Sequence, residues 1–282
     1  MSEPIQQAAR TLRGDDLVNA VHDARKALKR SRAALRTFRA AFGASERSMA
    51  EALRAAGRTL GMIRDRHAKL EALDAFLARH PELEAPLDAF RTALRSSTPL
   101  DDPDERARAL AVATDLDALA TDVASWVATH DAGEALSLGL ERAYRRARRA
   151  MREAYEEPTT DRFHAWRRRT KDVLHQWTML RPLWPEVLDG YIRAAKSLGD
   201  DLGEEHDAAL LARQILHDAT LRAAASTRAD CLGAIEGVRS ELRARARHLG
   251  RRLFGEHPRV YVERLLRWRQ AWQDESRSAD GS

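Results

Sequence analysis

The chain has 282 residues, of which 44% are hydrophobic and 32% charged, with a net charge of +5 and one cysteine. This length accommodates one large domain or two of ordinary size, and the single cysteine, Cys231, excludes an intramolecular disulfide framework. No leader with a basic and an apolar region opens the sequence, and no apolar window of about 18 residues occurs, so we expect a soluble cytoplasmic protein without a membrane span.

Basic and acidic residues are segregated along the first half of the chain. Residues 1–69 carry 15 Lys and Arg against 7 Asp and Glu, whereas residues 70–133 carry 5 against 13. This segregation indicates strong local electric fields, although the total charge is small.

The pattern of helix formers predicts an all-α protein, because Ala, Leu, Arg and Glu dominate and β-branched runs are nearly absent. In the first half, Gly43 and the prolines of the following segments mark helix ends. The predicted helices are a short one before Gly14, one from a cap at Asp15 or Asp16 to about Phe42, one over 46–79 and one over 104–129.

The second half shows the same kind of punctuation, with prolines and a Gly-Glu-His-Pro turn between amphipathic segments. A polar tail is predicted over 274–282. The predicted helices cover 138–155, a segment beginning at Asp161, a long one after Pro185 to about Leu221, then 227–254 and 258–273.

An internal repeat relates the two halves. The pattern H-x-x-[RK]-[KR]-x-x-K, followed about 30 residues later by L-G-x-x-[RH]-D, occurs twice at an offset of 142 residues. We infer a duplicated unit over 1–133 and 134–273. About four helices in each unit predict two four-helix bundles, related by a pseudo-twofold axis and flanking a basic groove.

The first motif helix carries a one-sided basic stripe. No acid occurs from Ala24 to Ser45, and the cations fall on one face of a helix with apolar residues opposite. A solvated amphipathic helix is the plain interpretation, but the recurrence of the stripe in the second unit favours polyanion binding. The residues of the stripe are His22, Arg25, Lys26, Lys29, Arg32 and Arg36.

The second unit repeats the stripe and adds a further basic run. Arg suits phosphate because its planar fork binds two oxygens at once, and clustered guanidinium groups repel one another unless a polyanion neutralises them. The histidines that begin each stripe predict tighter anion binding near pH 6 if they contact phosphate. The residues are His164, Arg167, Arg168 and Lys171, with Arg145, Arg148, Arg149 and Arg152 on the additional run.

The second motif lies on the next long helix of each unit. Gly61 and Gly203 are expected to permit close approach of another helix, since glycine otherwise costs about 1 kcal/mol in a helix. Asp65 and Asp207 are expected to pair with the cationic stripes. On the same helices, the side chains expected to extend the basic surface are Arg54, Arg58 and Lys196.

Two other functions remain open from the residues alone. The dipeptide His206–Asp207 resembles the dyad of helical metal phosphohydrolases, but its counterpart Arg64–Asp65 cannot bind a metal in the same way. Motifs for zinc, nucleotides or acyl transfer are missing, so we predict neither catalysis nor a metal or cofactor. Basic helices also bind nucleic acid, although the aromatic residues lie opposite the basic stripe and provide no stacking surface.

Together these segments resemble the CHAD family, the conserved histidine α-helical domain, over nearly the whole chain. The resemblance lies in VHDARKALKRSRAALRTF and LGMIRD of the first repeat, and in AYRRARRAMREA, FHAWRRRTKDVLHQW, LGDDLGEEHDAALLA and GRRLFGEHPRVYVERL of the second.

The resemblance implies non-catalytic binding of inorganic polyphosphate in a basic groove, and association with polyphosphate granules. The absence of E-x-E-x-K predicts a stand-alone form without a triphosphate tunnel domain. Carried over by position, the implied ligands are the basic residues of both stripes. At the positions that correspond to Arg32 and Arg36, the second unit has Leu174 and Thr178, so its stripe is shorter.

Overall fold

A computed structural model describes residues 2–43, 45–97, 104–125, 132–217 and 225–280. Nearly all of these residues lie in helices, and the described part of the chain contains no strand. The prediction of an all-α protein is confirmed. Within the described ranges, no helix is long and apolar enough to cross a membrane.

The helices follow the predicted order, with short 3-10 turns at Pro81–Leu83 and Arg181–Leu183. In chain order they are α1 (Ser2–Leu12), α2 (Leu17–Thr37), α3 (Arg39–Phe42), α4 (Ser45–Arg79), α5 (Glu84–Ser97), α6 (Asp104–Ser125), α7 (Ala132–Glu156), α8 (Thr160–Leu180), α9 (Pro185–His217), α10 (Ala225–Leu253) and α11 (Pro258–Asp280).

The chain divides into two compact units, Met1–Ala135 and Leu136–Ser282. In the first unit, α1 packs on α2 and α6, and α4 packs on α2 and α6. These four helices surround one apolar core, in which Leu12, Leu28 and Leu60 are almost completely buried. The core places the apolar side of α2 inward and leaves its basic side on the surface.

The second unit is organised around α9, which packs against α8 and α10. Trp166 and Trp177 of α8 are fully buried and face the interior, as their positions opposite the basic stripe predict. Tyr144 of α7 stacks on Tyr261 of α11 with ring centroids 4.0 Å apart, and its hydroxyl donates to the carbonyl of Leu253 at 3.1 Å. Aromatic packing therefore ties α7, α8 and α11 to the same core.

Local signals explain where both motif helices begin. Asp16 caps α2 by accepting a hydrogen bond from the backbone N–H of Asn19 at 3.1 Å, as predicted. Thr159 caps α8 in the same way, accepting from Arg162 N–H at 3.3 Å. Gly43 ends α3 with a positive φ of 53°, a conformation that glycine adopts without steric cost.

Two boundaries differ from the predictions. The helix predicted to reach Phe42 is interrupted at Phe38, where the Thr37 hydroxyl donates to the Ala33 carbonyl at 2.9 Å, a bond that often bends helices. The last helix continues to Asp280 rather than ending near residue 273, because its polar end forms its own contacts. Gln270 donates to Asp274 at 2.9 Å, which supports this extension.

Candidate functional site

The first unit presents the predicted stripe along α2. His22, Lys26 and Lys29 are exposed, while Arg25, Arg32 and Arg36 are half-buried. Arg54 and Arg58 are exposed on α4, the helix that packs against α2. The unit therefore places the cations of the two helices on the outer side of its core.

Arg25 is fixed between α2 and α4. Its Nη1 donates to the carbonyl oxygen of Gly57 at 3.2 Å. A Cβ atom built on Gly61 would lie 2.9 Å from the same nitrogen, closer than van der Waals contact allows. Gly61 thus makes room for a guanidinium group, whereas the sequence suggested room for a helix. Among the described residues, no carboxylate lies within ion-pair distance of Arg25.

The second unit presents its stripe along α8. His164, Arg167 and Lys171 are half-buried and Arg168 is exposed, and Lys196 is exposed on α9. The packing of α8 on α9 gives this stripe its support, as α4 does for α2.

Arg167 repeats the arrangement of Arg25. A Cβ atom built on Gly203 would lie 3.1 Å from Arg167 Nη2, 3.4 Å from Nε and 3.5 Å from Cζ. The guanidinium therefore lies against the α9 backbone at the glycine. Within the described ranges, Arg167 has neither a carboxylate partner nor a hydrogen bond from its buried Nε. A cation held in this way is positioned without being neutralised by the protein.

His164 and His206 form a close pair beside Arg167. Their ring centroids are 4.2 Å apart, and within the described part of the chain the buried Nδ1 of each ring has no hydrogen-bond partner. Burial lowers the pKa of His164 to about 4, and the positive charges of His206, Arg168 and Arg167 act in the same direction. Burial, followed by the charge of Arg167, also lowers the pKa of His206, while Asp207 opposes this shift.

The depressed pKa changes one sequence expectation. With a pKa of about 4, His164 is neutral at pH 6 in the unliganded chain, so the tightening expected near pH 6 fails for this residue. The physical reason is that the ring is buried among cations, an environment that the sequence pattern alone does not reveal.

The additional basic run on α7 is more balanced than the sequence analysis assumed. Arg145, Arg148, Arg149 and Arg152 are all exposed. Three of them pair with an acid four residues away: Arg145–Glu141 at 3.2 Å, Arg149–Glu153 at 2.6 Å and Arg152–Glu156 at 3.4 Å. The argument from mutual repulsion was wrong for these three arginines, and it holds only for Arg148.

Glu205, which precedes the histidine-aspartate dipeptide, is the centre of a buried ionic cluster. It is 1% exposed and accepts from Arg239 at 3.0 Å and from Arg243 at 2.7 Å. Arg243 also lies over the ring of Phe163, 4.6 Å from its centroid. This cluster joins α9 to α10 and α8 in the second unit, and the sequence analysis did not identify it.

Further residues of the motif were missed although the repeat contained the signal. Gly57 and Gly199 are related by the same offset of 142 residues as Gly61 and Gly203. A Cβ on Gly57 would lie 3.9 Å from Arg32 Nη1, whereas nothing lies within 4 Å of a Cβ on Gly199. The side chain of Asp65, expected to pair with the first stripe, lies outside the described residues.

The described residues contain no group of three or more His, Cys, Asp or Glu side chains arranged to hold a metal ion. In this part of the chain, the pair formed by His206 and Asp207 therefore lacks the further ligands that a metal phosphohydrolase centre needs.

Comparison with known proteins agrees with these features. The sequence model of the CHAD domain family matches residues 3–216, which include both motif helices and the long helices that support them. No curated protein matches the chain. CHAD domains are in general non-catalytic helical domains, and the family is linked to polyphosphate binding. With three quarters of its length matched, the chain belongs to the CHAD domain family.

Proposed function

We propose that the chain binds inorganic polyphosphate without catalysis, through the basic stripes of α2 and α8. The observation that carries this proposal is the pair of fixed arginines, Arg25 on Gly61 and Arg167 on Gly203. Each guanidinium is held against a helix backbone and lacks a carboxylate partner among the described residues. A guanidinium group held in this way loses little further freedom when it binds phosphate oxygens.

We also propose that the two units arose by duplication and act as two four-helix bundles, related by a pseudo-twofold axis, that flank one basic groove. The offset of 142 residues supports the duplication, since it relates the two arginines, the glycines they contact and the neighbouring glycines Gly57 and Gly199. The remaining stripe residues are proposed as polyphosphate ligands on the same basis. Association with polyphosphate granules would follow from this binding.

Polyphosphate fits these surfaces better than nucleic acid does. Trp166 and Trp177, the aromatic residues nearest to the second stripe in sequence, are 0% and 1% exposed, so they offer no stacking surface for bases. Polyphosphate needs only closely spaced cations, because it has no bases to recognise.

The proposal is tested by measuring the affinity of the full chain for long-chain polyphosphate, by isothermal titration at several salt concentrations. Affinity should fall steeply as salt rises, because binding releases condensed counterions, an argument extended here from nucleic acids. The variants R25E/K29E and R167E/K171E should each bind about 100-fold more weakly and show a flatter salt dependence.

The control variant must make the same charge change on an exposed surface elsewhere. Arg91 and Arg95 in the acidic segment were the sequence-based choice, but Arg91 pairs with Asp74 at 2.7 Å and with Glu84 at 3.3 Å. Reversing Arg91 would therefore disturb the fold, contrary to the sequence expectation.

A better control is R252E/R259E. Arg252 and Arg259 are exposed, and neither has an ion pair within the described ranges. Equal losses in all three double variants would contradict a localised site. Equal competition by DNA of the same total charge would contradict the preference for polyphosphate. Release of phosphate that depends on a metal and is abolished by Asp207→Ala would contradict non-catalytic binding.

A further inference from the structure

The second unit contains a cleft between α7 and the end of α10, with a volume of about 400 Å³. This volume is within the range of small-molecule sites. The two helices contribute a row of arginines one turn apart on each side. The residues that the argument uses are Arg148, Arg152 and Tyr155 on α7, Arg247 and Arg251 on α10, and Phe254 just after α10.

The cleft carries positive charge that the protein does not neutralise. Among the described residues, Arg148, Arg247 and Arg251 have no carboxylate within ion-pair distance. Arg152 pairs only with the exposed Glu156, at 3.4 Å. Unpaired guanidinium groups lining one small cleft repel one another, and a bound anion would relieve this repulsion.

The walls of the cleft are held in place by buried contacts. The hydroxyl of Tyr155 donates to the carbonyl of Arg243 at 2.7 Å, which fixes α7 against α10. One turn beyond Arg247, the backbone of Gly250 is packed so closely that a Cβ would lie 2.6 Å from the Trp166 ring and 2.9 Å from Met151 Sδ. The cleft is thus preformed rather than a gap between mobile side chains.

The remaining surface of the cleft is not what a bare chain of phosphates requires. Met151, Tyr155 and Phe254 contribute apolar and aromatic surface, and the Arg247 guanidinium lies over the Tyr155 ring, 5.0 Å from its centroid. An arginine plane supported in this way is a stacking partner for a nucleobase. Glu156 adds a carboxylate, which repels phosphate but accepts hydrogen bonds from sugar hydroxyls.

We propose that this cleft binds a nucleoside phosphate, with the phosphates on the arginines and the base against the Arg247–Tyr155 stack. The site is distinct from the stripe on α8, and Arg247 and Arg251 lie beyond residues 3–216, which match the family. The cleft is formed entirely by residues of the second unit.

The test uses the full chain and isothermal titration with ATP, and with inorganic tripolyphosphate, which has the same number of phosphates but no nucleoside. We expect ATP to bind more tightly than tripolyphosphate by about tenfold, because only ATP uses the apolar walls. The variants R251E and R148E, on opposite sides of the cleft, should each weaken ATP binding by about tenfold or more. R252E makes the same change on an exposed neighbour outside the cleft and should leave ATP binding unchanged.

Three results would overturn the proposal. The first is no measurable binding of ATP by a chain whose circular dichroism shows the helical fold. The second is equal affinity for ATP and tripolyphosphate, which would mean that the cleft recognises phosphate alone. The third is loss of ATP binding in R25E/K29E or R167E/K171E but not in R251E, which would place ATP on the stripes. Long-chain polyphosphate binding should survive R251E, so this result is independent of the proposed function.

Discussion

Replacing the conserved-offset glycines by alanine separates binding from stability. In Gly61→Ala, the new methyl carbon would lie 2.9 Å from Arg25 Nη1, and in Gly203→Ala it would lie 3.1 Å from Arg167 Nη2. In both cases the atom that must move is the end of a flexible side chain, while the glycine backbone is fixed in a helix. We therefore expect the arginine to be displaced from its position and the fold to remain intact.

The stability change can be worked out from two contributions. Alanine gains about 1 kcal/mol over glycine in a helix. In Gly61→Ala this gain is offset by the loss of the bond from Arg25 to Gly57, at about 1 kcal/mol, so the net change should be near zero. Arg167 makes no hydrogen bond among the described residues, so Gly203→Ala should become more stable by up to about 1 kcal/mol.

The affinity change should have the opposite sign. Each substitution removes one positioned guanidinium from the polyphosphate surface, which we expect to weaken binding by about tenfold, or about 1.4 kcal/mol. Urea unfolding followed by circular dichroism gives the stability, and isothermal titration with polyphosphate gives the affinity.

The chain provides matched controls one helical turn away. A Cβ on Gly57 lies at an ordinary 3.9 Å from Arg32 Nη1, and a Cβ on Gly199 has nothing within 4 Å. Gly57→Ala and Gly199→Ala should therefore gain about 1 kcal/mol in stability and keep their affinity. The reasoning is refuted if Gly203→Ala binds polyphosphate as tightly as Gly199→Ala does, or if it loses more than about 2 kcal/mol of stability.

Three further outcomes concern the second unit and its stability. Gly250→Ala places a methyl group 2.6 Å from the fully buried ring of Trp166, and we expect urea unfolding to show a loss of about 1–3 kcal/mol. Glu205→Gln leaves two buried arginines without their counter-charge and should cost about 3–5 kcal/mol, whereas Asp117→Asn, which removes a half-exposed ion pair, should cost less than about 1 kcal/mol. Stability should fall as pH is lowered from 6.5 toward about 4, because the unfolded chain binds a proton at His164 in this window and the folded chain does not; the fall should be smaller in His164→Gln.

Local features of the fold could be predicted because their causes are local in sequence. The cap at Asp16 and the stop at Gly43 depend on residues within one turn of the chain. The inward position of Trp166 and Trp177 follows from the period of the helix, since both lie opposite the cations of α8. The acids that neutralise much of α7 were equally visible, because Glu141 lies four residues from Arg145.

The details of the site depend on packing between helices and were not predictable in the same way. Arg25 contacts Gly57 across 32 residues, and only the packing of α2 on α4 brings them together. The contact between His164 and His206 likewise depends on α8 and α9, and it determines the direction of the pKa shifts. The repeat nevertheless contained more than was used, because the offset of 142 residues also relates Gly57 to Gly199.

The differences between the repeats suggest that the two stripes contribute unequally to binding. At the position of Arg32 the second unit has Leu174, and this difference agrees with the space beside Gly199, where no atom lies within 4 Å of a Cβ. The first stripe therefore has six basic residues on α2, whereas the second has four on α8. Since the salt dependence of polyanion binding grows with the number of phosphates contacted, reversing charges in the first stripe should remove more of the salt dependence than the same change in the second. A steeper loss in R167E/K171E than in R25E/K29E would instead show that residues outside α8, such as Lys196, make up for the shorter stripe.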